Sequence, residues 1–431
     1  MINYIKKIYS GEVKILKGDR VLWGLYILLL LISIVVVPSA SAIEIYKDGS
    51  IWGAVGKHLF IVSVSFLGAI ISSHISWKFV RKFHYFLYPI VLLLIVLTYM
   101  MGVKENDAQR AIFILGISIQ PSELLKPTIV LLAASIFGTK GFLGLENMGR
   151  NTRFWFFLIL VAIPTFPTML QSGSTGLIIG FLTLLILYVS IPPKKPFWMM
   201  VIVGAFLLVV GYVSIKYLPD SVLSKVGRAT TWKSRLSDNP SDLPDSVYNL
   251  LSKEQKDSLY FSLDVKKSYQ RNYAQIAISR GAKLPFGSGS GKSLARDFLP
   301  EAHNDFIYAI FIEEWGPVLG VLTIPMIFLI LFFRLGNIAK IALSRQQQLI
   351  LYGIGILYTV QAFINMGMAA NCLPLMGQTL PLISKGGSSF LFTSCFIGLT
   401  IGITDQILKD NALLKKRKKE KTLQNQEKTE A

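Results

Sequence analysis

The sequence predicts an all-helical protein that crosses a membrane many times. Of its 431 residues, 52% are hydrophobic, and the mean hydropathy is +0.52. Apolar runs of about 20 residues recur along the chain, and a helix of that length spans the hydrocarbon core of a bilayer. These runs must be helical because lipid offers the backbone N–H and C=O groups no hydrogen-bond partner.

The apolar runs predict ten transmembrane helices. Lysine and arginine concentrate before the first run, in every second connection after it and in the tail segment KKRKKEK, Lys415 to Lys421. Since basic loops mark the cytoplasmic side, we expect both termini in the cytoplasm. The net charge of +19 therefore needs no nucleic-acid partner. The predicted spans are 21–42, 57–76, 83–103, 121–138, 154–170, 173–191, 197–216, 305–333, 347–371 and 386–408.

This topology divides the chain into five regions. The connection between helices 7 and 8 is long, polar and extracytoplasmic, and connections of that length are usually functional or disordered. The role of its 237–272 insertion stays open. The regions are a cytoplasmic N-terminus at 1–20, helices 1–7 at 21–216, the large extracytoplasmic loop at 217–304, helices 8–10 at 305–408 and a basic cytoplasmic tail at 409–431.

The stretch LPEAHNDFIYAIFIEEWG, Leu299 to Gly316, places acids at the start of the eighth span. Ionisable side chains in a membrane are costly and usually face a cavity or a partner. Asp305 falls at the outer end of the predicted helix, where it either caps the helix or takes part in chemistry. Glu313 and Glu314 fall about 12–14 Å further along the helix, so we expect them to lie deeper in the membrane than Asp305. We expect polar groups such as Lys126 to pair with them.

The segment SIQPSELLKP, Ser118 to Pro127, predicts a helix that begins at Pro121 and carries a charged pair. Glu123 and Lys126 are three residues apart, so their side chains can pair. Two interpretations stay open: a self-neutralised pair that only packs, or a polar cavity shared with the acids of the eighth span. Arg110, on the outer side, either meets solvent and headgroups, which is the usual case, or binds an anionic ligand.

Two further segments carry groups that bind anions. PLISKGGSSF, Pro381 to Phe390, combines Lys385 with glycines and serines at a helix start, where free backbone N–H groups hold anions. By pattern alone, an ordinary capping loop is favoured there. GRATTWKSRL, Gly227 to Leu236, interleaves Arg228 with Trp232 on the outer loop, which is typical of an interfacial segment and compatible with a lipid-linked substrate.

Four ordered motifs together resemble the SEDS family, the shape, elongation, division and sporulation proteins that polymerise peptidoglycan. The resemblance covers the chain from about Val21 to Leu408 and is greater to the division member FtsW than to the elongation member RodA. This sequence departs from the family pattern in RAI at Arg110 to Ile112, in QSGSTG at Gln171 to Gly176, and at Lys385. The motifs are QPSELLK, GSGSGKSLARDFLPEAHNDFIYAIFIEEWG, QAFINMG and LPLMGQTLPLISKGGSSF.

The resemblance implies a ten-helix bundle that transfers glycosyl groups from lipid II. In that reaction the 4-hydroxyl of an acceptor GlcNAc attacks the anomeric carbon of a donor MurNAc, and a β-1,4 link forms with inversion. The family's essential acid falls at Asp305, which would act as general base. The expected substrate contacts are Arg110, Glu123, Lys126, Arg228, His303, Asn304, Lys385, Ser388 and Ser389, and the expected structural polar residues are Gln120, Glu301, Glu313 and Glu314.

The resemblance also implies partners and a location. We expect lipid II as substrate, a class B penicillin-binding transpeptidase and other divisome proteins as partners, and the bacterial cytoplasmic membrane at the septum as the location. No metal site is expected, since the four histidines and two cysteines lack ligand spacing. Assistance by a divalent cation, Mg²⁺ or Mn²⁺, is left open. The alternatives are a lipid II flippase, a RodA-type elongation polymerase and a scaffold without chemistry.

Overall fold

The computed structural model describes residues 16–42, 45, 51–105, 108–114, 117–138, 149–191, 197–199, 201–202, 204, 252, 255 and 269–430. Helices dominate this part of the chain, and eight helical segments, with Ile307–Lys340 counted as one, are long and apolar enough to cross a membrane. The predicted helical membrane class is therefore confirmed. Most of the seventh predicted span and most of the outer loop lie outside the described residues, so the count of ten and the orientation stay predictions.

The helices follow the predicted spans closely. A 3₁₀ turn covers Ala295–Asp297 and a π-helical segment covers Val318–Thr323. The helices are α1 Arg20–Ala40, α2 Ile51–Ser73, α3 Trp77–Val80, α4 His84–Met101, α5 Pro121–Gly138, α6 Arg150–Gln171, α7 Gly173–Ser190, α8 Tyr269–Gly281, α9 Ile307–Pro317, α10 Ile324–Lys340, α11 Arg345–Ala369 and α12 Gly387–Glu430.

A small antiparallel sheet, which we did not predict, lies between α4 and α5. Its strands are β1 Val103–Glu105, β2 Ala108–Ile114 and β3 Ile117–Ile119, in the spatial order β1-β2-β3. The isoleucines and phenylalanine of this region favour extended backbone, and they are too few to form another span. The last strand leads directly to Pro121, where α5 begins.

Helix α5 lies in the interior of the described bundle. Every side chain from Leu124 to Ile136 is buried. The helix packs against α11, α4 and α7. A helix that is surrounded in this way has no lipid face, so a charged side chain such as Lys126 must find its partners within the protein.

Helix α12 continues far beyond the span that we predicted for it. It begins at Gly387 and extends over 44 residues to Glu430, whereas the predicted membrane segment ends at 408. The extension is rich in lysine, glutamine and glutamate, which are strong helix formers. Its described side chains from Leu413 onward are exposed. The basic tail is therefore a helical continuation of the last membrane helix.

The predicted eighth span, 305–333, is broken at Gly316. The backbone there has φ 74° and ψ 176°, a conformation that glycine adopts easily, and Pro317 follows. In a straight helix, residues eight apart would be separated by about 12 Å. A Cβ atom at Gly320 would nevertheless lie 3.3 Å from the Cα atom of Ile312. The chain therefore turns sharply at Gly316 and Pro317, which we call the Gly316 corner.

This corner overturns the order of depth that we predicted for the acids. Glu314 accepts a hydrogen bond from Ser39, at the C-terminal end of α1. Asn304 instead accepts from Ser384 (2.6 Å), and the carbonyl preceding Ser384 accepts from Ser33, in the middle of α1. Glu313 and Glu314 therefore do not lie deeper than the turn before α9, and the predicted order of depth is wrong. The cause is a Gly-Pro pair within an otherwise apolar run.

An ion pair between Asp19 and Arg334 ties α1 to α10 at the opposite end of α1. Arg334 donates from Nη2 to Oδ2 (2.5 Å) and from Nε to Oδ1 (3.1 Å). The same carboxylate accepts from the Leu22 N–H (3.1 Å), and the Asp19 N–H donates to Thr404 of α12 (3.2 Å). Burial opposes the charge of Asp19, but Arg334 and the backbone donors outweigh burial, so the pKa of Asp19 lies below its ordinary value.

Replacing Asp19 with Asn should lower the unfolding temperature at neutral pH. The loss is about 1–2 kcal/mol, since the Arg334 side chain is 41% exposed. A depressed pKa means that the stabilisation is fully present above the ordinary carboxyl pKa and is lost as the pH falls through the folded value. Unfolding temperatures of wild type and Asp19→Asn, measured in detergent, should therefore converge on acidification.

The control for this experiment is Asp405→Asn. Asp405 pairs at 2.5 Å with Lys409, whose side chain is 61% exposed, so its loss should change the unfolding temperature little. A difference between wild type and Asp19→Asn that stays constant from neutral to strongly acidic pH would contradict the role given to the charged pair.

A second prediction concerns the corner. Gly316→Ala should destabilise the protein by at least about 1–3 kcal/mol, because alanine is strained at positive φ. Its Cβ atom would also lie 2.7 Å from the Phe286 carbonyl carbon. Gly24→Ala is the matched control, since nothing lies within 4 Å of a Cβ atom there. Thermal unfolding should show a loss for Gly316→Ala only, and equal stability of the two variants would refute the constraint.

Candidate functional site

The segment before α9 forms a compact turn that carries Asp305. The backbone N–H groups of Asn304, Asp305 and Phe306 all point to the Glu301 carbonyl, at 3.0, 3.1 and 3.3 Å. Glu301 itself has φ 54°, which is unusual for a residue with a side chain. Helix α9 begins at Ile307 with Phe306 at the N-cap position, so Asp305 does not occupy the capping position that we considered.

Three consecutive carbonyls of this turn are held by other parts of the chain. The Lys385 N–H donates to the His303 carbonyl (2.9 Å), and the Ser384 hydroxyl donates to the Asn304 carbonyl (2.6 Å). The Asn365 amide donates to the Asp305 carbonyl (2.9 Å). Asn365 is fully buried, whereas Asp305 is half-buried. The backbone of the acid is therefore fixed while its side chain remains within reach of a ligand.

A chain of polar contacts leads from this turn to Lys126. The Asn365 amide also donates to the Gln378 carbonyl (2.6 Å), and the Gln378 side-chain oxygen accepts from Lys126 Nζ (2.9 Å). Lys126 Nζ lies 2.7 Å from Glu123 Oε1, as the spacing of the two residues predicts. The pair is therefore neutralised, and Gln378 and Asn365 also join it to the turn of Asp305.

The start of α12 lies beside the same turn. The Ser388 hydroxyl accepts from the Gln120 N–H (3.2 Å), which links α12 to the chain entering α5. Ser389 donates to the Gly386 carbonyl (3.1 Å). Lys385 is half-buried, and its backbone holds His303. The predicted basic, serine-rich helix start therefore adjoins the turn that carries the acid, although the sequence separates them by about 80 residues.

The predicted pairing of the two span-eight glutamates with Lys126 is wrong. Glu313 accepts from Ser293 and from the Leu294 N–H (3.2 Å). Glu314 accepts from Ser39 of α1. Both carboxylates are fully buried. Since the Gly316 corner redirects the chain, they meet the glycine-rich loop before the turn instead of the Lys126 cluster.

Two predicted substrate contacts lie outside what the structure describes. Arg228 is in the outer loop, outside the described residues. Arg110 is in β2, but its side chain is not among those described. Among the described residues, no three His, Cys, Asp or Glu side chains are grouped so that they could hold a metal ion. Assistance by a divalent cation, which the sequence left open, therefore stays open.

Three residues of the site escaped the sequence analysis: Asn365, Gln378 and Ser384. Asn365 had a usable signal, because it stands one turn after Gln361 in an otherwise apolar helix. Polar side chains at such spacing in a membrane helix usually mark an interior contact. Gln378 and Ser384 had none, since glutamine and serine are ordinary in a loop and only the folded contacts distinguish them.

This arrangement defines a class: a helical membrane protein with a half-buried acid on a fixed turn beside a buried Lys–Glu pair. A family model described as a cell cycle protein, and named for FtsW, RodA and SpoVE, matches residues 19–407. The chain belongs to this family, which confirms the family resemblance drawn from the motifs. The match includes the Asp305 turn, α5 and the start of α12.

Individual relatives agree with the family match. The probable peptidoglycan glycosyltransferase FtsW of Haemophilus influenzae is 30% identical over 420 residues, which cover 93% of this chain and 95% of the relative. A solved structure of a peptidoglycan synthase complex that coordinates polymerization and crosslinking matches with TM-score 0.63 and 22% identity, over 90% and 98% of the two chains. The rod shape determining protein RodA of Thermus thermophilus matches with TM-score 0.60 and 20% identity, over 90% and 96%.

Asn365→Leu should destabilise the protein, because it leaves the Asp305 and Gln378 carbonyls without this donor. An unsatisfied buried polar group costs about 1–3 kcal/mol. Gln361→Leu is the matched control, since the one contact of Gln361 within the described part of the chain is a long one of 3.4 Å with the Thr379 carbonyl. Thermal unfolding of the purified variants should rank Asn365→Leu well below Gln361→Leu, and the reverse order would contradict the assigned contacts.

Proposed function

We propose that this chain is a peptidoglycan glycosyltransferase of cell division, which polymerises lipid II into β-1,4-linked glycan strands at the outer face of the cytoplasmic membrane. One observation carries the proposal: Asp305 stands half-buried on a turn whose three carbonyls are held by Lys385, Ser384 and Asn365. The family membership and the relatives named as peptidoglycan glycosyltransferases support the same reaction.

In the proposed reaction Asp305 is the general base. Its carboxylate takes the proton of the acceptor's 4-hydroxyl while that oxygen bonds to the anomeric carbon of the donor. The bond between that carbon and the pyrophosphate oxygen breaks, and the lipid pyrophosphate leaves with the bonding electrons. A sugar hydroxyl is a poor nucleophile, so a positioned base accelerates the attack. The fixed backbone of the turn supplies the required orientation.

The leaving pyrophosphate is strongly anionic and needs positive charge and N–H donors. Among the described residues, Lys126 and Lys385 supply positive charge at the site. Glu123 orients Lys126, whose Nζ atom lies 2.7 Å from Glu123 Oε1. The start of α12, with Ser388 and Ser389, offers the N–H groups of a helix N-terminus. We assign the leaving group to this region, with His303 and Asn304 nearer the sugars. Arg110 and Arg228 remain proposed contacts from the outer side.

The flippase alternative is less well supported. Transport of a lipid-linked sugar requires charges that face a cavity open to the substrate. Glu313 and Glu314 were the residues that favoured it, yet both are fully buried and engaged by Ser39 and the loop around Ser293. Asp305, which lies beside the start of α12, is by contrast half-buried. The transferase uses that acid and the flippase does not require it.

We propose a class B penicillin-binding transpeptidase as partner and the division septum as the location. The support for a partner is the similarity in fold to a chain of a synthase complex that couples polymerization with crosslinking. A polymerase that feeds a crosslinking enzyme needs its product released on the same side of the membrane. Other divisome proteins would then recruit the pair to the septum.

Asp305→Asn should abolish polymer formation while leaving the protein folded, because the amide preserves size but cannot accept the proton. The expected fall in rate is about 10²- to 10⁴-fold, the usual contribution of a general base. The assay uses purified protein, labelled lipid II and a transpeptidase partner inactivated for crosslinking, and resolves glycan strands on a gel.

Glu301→Gln is the control for that assay. Glu301 belongs to the same turn and accepts from the Asn304 amide at 2.8 Å, which a glutamine oxygen can still do. The control should polymerise lipid II at close to the wild-type rate. Robust polymer from Asp305→Asn would refute the assignment of the base, and lipid transport by the wild type without any polymer would favour the flippase.

A further inference from the structure

Helix α9 follows the Asp305 turn at one end and carries two buried glutamates at the other. Eight residues separate Asp305 from Glu313, a distance of about 12 Å along a helix. Glu313 therefore does not touch the reacting groups. The proposed mechanism gives it no task, and burying a carboxylate without a role is costly. Its contacts show what it holds together.

The glycine-rich loop caps the C-terminal end of α9. The last carbonyls of a helix lack partners within the helix. Here the Ser288 N–H donates to the Glu313 carbonyl (2.9 Å), and the Gly289 N–H donates to the Glu314 carbonyl (2.8 Å). Gly287 adopts φ 68°, and a Cβ atom there would lie 2.6 Å from the backbone of Glu314. Only glycine permits this close approach.

The Glu313 carboxylate then fastens the next part of the same loop. It accepts from the Ser293 hydroxyl, the Leu294 N–H (3.2 Å) and the Ala295 N–H (3.3 Å). Arg280, at the end of α8, lies 3.4 Å away. A negative charge at a helix C-terminus is unfavourable, and these donors and Arg280 offset that effect. We call this group the carboxylate joint.

Glu314 extends the joint to α1. It accepts from the Ser39 hydroxyl, and the Ser293 N–H lies 3.4 Å from its Oε1 atom. Arg296 donates to the same Ser39 hydroxyl (3.2 Å). The joint therefore connects α1, α8, the loop and α9 at one place. The loop leaves it at the 3₁₀ turn Ala295–Asp297 and continues directly into the Asp305 turn.

We infer that Glu313 is a positioning residue for the transferase: its carboxylate joint fixes the far end of α9 and the loop leading to Asp305, and so sets where the base stands. This inference rests on the proposed function. The turn is held at its other side by Asn365 and Ser384, so α9 is fastened at both ends. Loosening the joint should misplace the base without removing it.

The test compares Glu313→Gln, Ser293→Ala and Arg280→Lys with the wild type. A glutamine carries an NH₂ group that faces the donors of the loop, and it leaves Arg280 without its charge partner. A misplacement of about 1 Å can cost up to about 100-fold in rate, so we expect kcat for lipid II polymerisation to fall at least tenfold in Glu313→Gln. KM should stay within about threefold, because the substrate contacts are unchanged.

The other two variants should follow in order. Ser293→Ala removes one donor and should lower kcat less than Glu313→Gln. Arg280→Lys keeps the charge and should lower it least. If Glu313→Gln fails to fold, the test is the comparison of the other two variants: kcat should fall more in Ser293→Ala than in Arg280→Lys. Asp19→Asn is the control for general destabilisation, because it breaks an ion pair at the opposite end of α1 from the joint, and its kcat per folded molecule should equal that of the wild type.

Hydrogen–deuterium exchange supplies a readout that does not depend on catalysis. Amides between 300 and 316 should exchange faster in Glu313→Gln and Ser293→Ala but not in Asp19→Asn. Wild-type kcat per folded molecule in Glu313→Gln and Ser293→Ala, a change confined to KM, or unchanged exchange in that segment would each overturn the inference. Polymerisation by Asp305→Asn would instead overturn the proposed function, and the exchange result would still decide the role of the joint.

Discussion

Neutralisation of buried charge by protein groups is the constraint on which the described structure depends. Within a membrane neither lipid nor bulk water can satisfy an ionised side chain. Lys126 is therefore held by Glu123 and Gln378, and Glu313 is held by loop N–H groups and Arg280. Most of these contacts join segments that are distant in sequence. The interactions that make the charges tolerable thus also bring the helices of the site together.

The site combines a rigid pair of helices with one short helix that is fixed at both ends. Helices α5 and α11 form the rigid pair, since nearly all of their facing side chains are buried and Gln346 of α11 donates to Ser135 of α5 (3.0 Å). Helix α9 is the short helix. It is eleven residues long and is bounded by the Asp305 turn and the Gly316 corner. Such a short helix has little stability of its own. Its place is set by what is fastened to its two ends.

Local patterns in the sequence were sufficient for the membrane class, for most helix positions and for the Glu123–Lys126 pair, because hydropathy and i,i+3 spacing act within one element. They were insufficient for the partners of Glu313, for Gln378 and for the depth of the acids. Those depend on contacts between segments far apart, such as Lys126 with Gln378, 252 residues on. Gly316 followed by Pro317 is a pair that breaks helices, but the apolar residues on both sides led to the prediction of one continuous span.

The unbroken course of α12 has a mechanical consequence. At 1.5 Å per residue, its 44 residues form a rod of about 66 Å, roughly twice the thickness of the hydrocarbon core. Ser388, beside the acid turn, and the lysines near Arg417 therefore belong to one stiff body. A force that twists or tilts the basic end of α12 therefore also turns the serine hydroxyls at the other end of the helix.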